Sequence, residues 1–111
     1  MPRVTVGAAT PAELATRHIL GAPSIAARTR LHLGEGEADW AALLDEARSM
    51  SGGEQLLVRV AYDLWHAEGT VGIWELSSRL GRPGFDRVLE ALELVRGERA
   101  PDEARLLDEA A

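Results

Sequence analysis

The chain contains no cysteine, which excludes disulfide frameworks, thiolate metal sites and cysteine nucleophiles together. It contains no lysine either. All twelve basic residues are arginine, so no Schiff-base amine, lysine general base or phosphate-loop lysine exists. Aromatic residues are scarce, at three Trp, one Tyr and one Phe, and each ring therefore carries weight in any core or contact surface. Long apolar runs are missing as well. No stretch approaches the about eighteen apolar residues that span a bilayer, and the N-terminal MPRVTVGAATPAEL lacks the unbroken apolar segment of a secretion signal. A cytoplasmic protein without membrane contact is the expectation.

What remains is 111 residues, 46% of them hydrophobic, enough for one core and one domain spanning 1–111. Within it, composition marks an N-terminal helix or ribbon segment (1–36), a helical core (38–97) and an acidic tail (98–111). The formal charge of −6 is uneven: residues 1–34 carry +3, residues 35–50 carry −4, residues 51–97 carry −2 and residues 98–111 carry −3. A nucleic-acid surface would thus draw on the N-terminal third more than on the core.

Helix signals are frequent. Thr10-Pro11-Ala12-Glu13 forms a capping box with proline at the first helical position, Leu14, Ala15, His18 and Ile19 share a face, and Gly21 ends the helix. Arg3-Val4-Thr5-Val6 alternates, as does Arg28-Thr29-Arg30-Leu31-His32-Leu33, and pairing the two would make a short β-ribbon. A continuous helix from Ser24 to Leu33 is the other reading. Gly34-Glu35-Gly36 is a turn in both. Trp40, Leu43, Leu44, Ala47 and Met50 then mark a helix over 38–49.

Ser51 and Glu54 make a second capping box, opening a helix whose apolar residues Leu56, Leu57, Val60, Ala61, Leu64 and Trp65 cover more than one stripe. That breadth predicts neighbours on two sides. The string Met50-Ser51-Gly52-Gly53-Glu54 looks like the signature loop of ABC transporter ATPases, but a chain without lysine has no phosphate-cradling loop to accompany it. Further on, Ile73 to Leu80 reads as a short helix ended by Gly81, Arg82-Pro83-Gly84 as a turn, and Phe85, Val88, Leu89, Leu92 and Val95 as one face of a long helix closed by Gly97. The three tryptophans read as core anchors.

The order of central helix, short extended piece, short helix, turn and long helix over residues 51–97 resembles the winged helix-turn-helix family, with Leu76, Ser77, Leu80 and Gly81 at the packing and turn positions of the first motif helix. The resemblance implies a DNA-binding transcriptional regulator, with Arg79, Arg82 and Arg87 as the residues that would meet DNA. Two departures accompany it. Arg87 stands where the motif has an apolar residue, with Val88 one step later, which lengthens the turn by one residue; an acidic tail stands in place of the wing.

On residues and charge alone, the expectation is a mainly α small helical bundle acting as a non-enzymatic interaction module, an adaptor or regulatory subunit whose partner is another protein or a second copy. Trp74, Phe85 and Leu94 are the candidate anchors for that partner. No catalytic residue, metal ligand or cofactor is expected: His18, His32 and His66 are far apart in sequence and form no ligand motif, and no serine sits in a nucleophile elbow. Leu106 and Leu107, between acids in the tail, are read as a short amphipathic helix.

Overall fold

The computed structural model describes residues 10–34 and 37–98, so the alternating Arg3–Val6 stretch and the Leu106–Leu107 tail lie outside the described residues. Helix α1 (Pro11–Leu20) begins on the expected box: the Thr10 hydroxyl accepts from the Glu13 N–H and the Glu13 carboxylate accepts from the Thr10 N–H. Its buried side chains, Ala15, Thr16, His18, Ile19 and Leu20, wrap well beyond one stripe. Such a helix needs cover on more than one side.

The segment 26–32 is helical: α2 (Ala26–Thr29) runs into a 3-10 turn at Arg30–His32. The period-two strand expected over 28–33 is thereby corrected, and the continuous-helix reading lies closer. The cause is tertiary. Thr29 is fully buried, and its hydroxyl donates to the Leu20 carbonyl at 2.7 Å, folding the segment back on the end of α1. A ribbon does exist, but it is the antiparallel pair β1 (Leu33–Gly34) and β2 (Glu37–Ala38), in register Leu33 to Ala38.

Helix α3 (Trp40–Ala47) starts with Asp39 as its cap, the carboxylate accepting from the Ala42 N–H. It is tied to α2 by Glu46, which accepts from Arg28 Nε at 2.7 Å and lies 3.1 Å from His32 Nε2. The hydrogen bond with His32, then that from Arg28, holds the Glu46 carboxyl below its ordinary range. A carboxyl lowered in the folded state binds its proton more readily when unfolded. Its stabilising contribution is therefore complete above the ordinary glutamate value of 4.5 and is lost as the pH falls through the lowered folded value. Glu46→Gln is expected to flatten the acid limb of the urea midpoint plotted against pH; an unaltered limb would remove this assignment.

Helix α4 (Gly52–His66) opens on the Ser51–Glu54 box and closes on Ala67, which takes the left-handed conformation at φ 55° in a position where glycine is usual. Helix α5 (Ile73–Arg79) and helix α6 (Arg82–Arg96) are joined by Leu80 and Gly81 alone. The turn expected over 82–84 is instead the first turn of α6. Proline there forfeits only an N–H that no helix would pair, and Gly84 is where α6 runs against Leu80, since a Cβ at Gly84 would sit 3.3 Å from Leu80 Cδ2.

The architecture is a small, mainly helical bundle with a two-stranded ribbon. Its centre is α1. That helix lies along both α4 and α6, while α4 and α6 touch one another only briefly. Helix α4 does have several neighbours, as its broad apolar surface predicts, but α4 to α6 are not a self-contained trio. Ala15, Ala61 and Ala91 are fully buried, and the Thr16 hydroxyl, bonded to the Ala12 carbonyl at 2.8 Å, comes within 3.4 Å of the Ala61 carbonyl across the α1–α4 contact. Small side chains let these backbones approach.

Candidate interaction surface

Helix α5 has no buried residue, so something other than core burial fixes it. Leu76 and, just beyond its end, Leu80 rest against the core, and the remainder is polar pinning. The Asp63 carboxylate accepts from the Thr70 N–H (2.8 Å), the Thr70 hydroxyl (2.7 Å) and the Val71 N–H (2.9 Å), fastening the loop before the helix. Arg59 donates to the Thr70 carbonyl at 2.9 Å and to Glu75 at 3.1 Å. Glu75 in turn accepts from the Gly72 N–H at the helix start. That backbone hydrogen bond, then the one from Arg59, holds the Glu75 carboxyl below its ordinary range. A seven-residue helix that is marginal alone is thus held in place from below.

The pinned helix turns its apolar start outward. Ile73 is 82% exposed and Trp74 81%, the two most exposed large apolar side chains among the described residues. The expectation that all three tryptophans are core anchors is corrected for Trp74. Trp40 and Trp65 are half-buried; Trp40 meets Tyr62, Trp65 and His66 edge to face, with the Tyr62 and His66 rings stacked on one another. One turn along α5 from Trp74, Ser77 joins Leu80, Arg82 and Phe85 in lining a groove of about 310 Å³. Phe85 is half-buried there.

Leu94, the third candidate anchor, is 3% exposed and belongs to the core. The inward stripe of α6 is Arg87, Val88, Ala91 and Leu94, rotated from the expected Phe85-Val88-Leu89-Leu92-Val95 face. Leu89, Leu92 and Val95 are left partly exposed. The reason is Arg87, which counts as polar in any periodicity but lies inside.

Arg87 is 6% exposed and cannot reach a nucleic acid from where it stands. Its guanidinium donates to the His18 carbonyl at 3.2 Å and to His18 Nδ1 at 3.3 Å. Because arginine only donates, this pattern places the ring hydrogen on Nε2, which donates to Glu90 at 2.7 Å. The result is a guanidinium–imidazole–carboxylate chain linking α1 to α6. Of the other two arginines in the DNA reading, Arg79 is exposed, and Arg82 is exposed but pairs with Asp86 at 3.1 Å.

The three histidines occupy separate places: His18 in the α1–α6 contact, His32 beside Glu46, His66 over Tyr62. Among the described residues, no group of three or more His, Cys, Asp or Glu is placed to hold a metal ion, and no helix is long and apolar enough to cross a membrane. The chain matches no family model, no curated protein and no solved structure.

The pinning of α5 by Asp63 and Arg59 was not read from the sequence. A signal existed: Asp63 and Arg59 lie on the polar side of a helix that is followed by Thr70-Val71-Gly72, a loop with free N–H groups and few residues of its own to satisfy them.

Proposed function

We propose that the chain is a non-enzymatic interaction module, an adaptor or regulatory subunit, and that Ile73 and Trp74 form the centre of its contact surface. The observation that carries this reading is the exposure of two adjacent large apolar side chains on a helix fixed by Asp63, Arg59 and Glu75. Isolated exposed leucines are ordinary on protein surfaces and ask for no explanation. A tryptophan and an isoleucine side by side, on a helix held in this orientation by polar bonds, are a different matter. Tryptophan buried at the middle of an interface is among the residues whose truncation costs most, commonly about 2 kcal/mol or more, roughly 30-fold in affinity.

Immobilised wild-type chain is expected to retain a defined partner, in stoichiometric amount, that Trp74→Ala loses while its thermal unfolding is unchanged. Equal capture by both forms, or by neither, would dispose of the reading.

DNA binding is the second reading. The two-residue joint between α5 and α6 and the exposure of Arg79 and Arg82 support it. Against it, two positive charges are set beside Asp86, Glu90 and Glu93 on the helix that would enter the groove, and phosphate contacts are what most of such affinity comes from.

A further inference from the structure

We infer that the groove formed by the end of α1, helix α2 and β1 binds an acidic segment of a partner protein, one in which an aliphatic side chain stands beside carboxylates. The groove shares no residue with the Trp74 surface, and the inference does not rest on that reading.

The observation that carries it is a pair of arginines without acids. Acidic residues outnumber arginines eighteen to twelve in this chain, so an arginine lacking a carboxylate neighbour is the exception. Arg28, Arg48, Arg59, Arg82 and Arg96 each pair with a carboxylate at 2.6–3.8 Å, and Arg87 is held by His18. Among the described residues, Arg17, Arg30 and Arg79 form no such pair, and two of these three line one groove. Their donors meet backbone oxygens instead. Arg17 donates to the Gly34 carbonyl at 2.5 Å and to the Glu37 carbonyl at 3.4 Å, and Arg30 to the Ala26 carbonyl at 3.3 Å. A guanidinium has five N–H donors, so most of them remain for an incoming anion. The bonds already made hold each head group in place, which lessens what binding must order.

The rest of the lining says what kind of anion fits. Leu20, Pro23, Ala26 and Leu33 face a volume of about 510 Å³, and no acid stands among the lining residues. A bare inorganic anion would leave those aliphatic walls wet. A nucleic acid draws its affinity from many phosphate contacts at once, and two guanidiniums among aliphatic walls supply few. An acidic peptide segment uses both features: its carboxylates match the planar fork of arginine, and its aliphatic side chain covers the walls. Charge directs it to this end of the molecule. Residues 10–34 hold three arginines and one acid, whereas residues 37–98 hold twelve acids and six arginines, so an acidic partner is repelled by most of the surface and attracted here.

Heteronuclear NMR on the full chain, titrated with a short synthetic peptide of Glu and Leu in alternating pairs, tests this. The amide signals of Gly21, Ala26, Arg30 and Leu33 are expected to move, with an affinity that falls as salt is added. Arg30→Glu, at an exposed position, is expected to weaken binding at least roughly tenfold, and so is Gln for Glu in the peptide. Ser for Leu in the peptide weakens it as well. Trp74→Ala leaves it unchanged, which keeps this surface distinct from the one above. A thermal melt matching wild type establishes that Arg30→Glu folds; if the melt is lowered, the peptide variants decide. No shift at roughly millimolar peptide, shifts centred elsewhere, or equal binding by Arg30→Glu or by the Gln peptide overturns the inference. So does tighter binding of an oligothymidylate at the same amides, which would assign the groove to nucleic acid.

Discussion

Ile19→Ala is expected to cost about 4 kcal/mol of folding free energy, and a fragment comprising residues 37–98 is expected not to fold at all. Ile19 is fully buried on the one helix that packs along both α4 and α6, and truncating such a side chain removes its transfer free energy and leaves a cavity. A domain of this size holds only about 5–15 kcal/mol in reserve. The fragment loses more than one side chain, because without α1 the inward face of α6 is left with little cover but α4, which it barely meets, and α4 keeps only α3 and α5 against its broad apolar surface. Urea denaturation followed by circular dichroism measures the first effect as a lowered midpoint with an unchanged slope. The second is read from the absence of a cooperative melt. A fragment that unfolded cooperatively would show that α4 to α6 are an independent unit after all.

The next largest effect is expected at Arg87. Replacing it with alanine should destabilise the fold by about 3 kcal/mol, since a buried guanidinium bonded to the His18 ring and carbonyl is removed together with a long apolar stem. Arg82→Ala, five residues earlier on the same helix, should change stability by less than about 0.5 kcal/mol, because its pair with Asp86 is exposed and screened. Arg87→Met keeps the stem without the guanidinium and should fall between the two. In thermal terms the alanine variants separate widely, as about 1 kcal/mol shifts the midpoint of a domain near this size by roughly 4–8 °C. Equal effects at the two arginines would contradict the placement of Arg87 inside.

That pair of arginines shows why part of the structure was legible in the sequence and part was not. Capping depends on residues three apart, so Thr10 with Glu13 and Ser51 with Glu54 could be read directly, as could the left-handed Gly97 that ends α6. The face of α6 was not legible, because assigning it requires knowing whether an arginine goes in or out, and that is decided by His18, nearly seventy residues away. The segment 28–32 failed for a related reason: six residues alternate by period two equally well as a strand or as a turn of helix with one buried threonine. What decides between them is the Leu20 carbonyl, which no local pattern contains. At the candidate surface Trp74 is exposed and Phe85 half-buried, while Leu94 lies in the core, turned inward by the same rotation of α6 that hid Arg87.

Under the proposed interaction function, the carboxylate of Asp63 bears on affinity as well as on shape. By tying down Thr70 and Val71, it makes folding bear the entropic loss of ordering the segment that presents Trp74, so an incoming molecule meets a ready-made surface and forfeits little freedom in docking. Under the proposed function, how tightly the tryptophan end of this chain holds its partner is governed in part by an anion that takes no share in the contact.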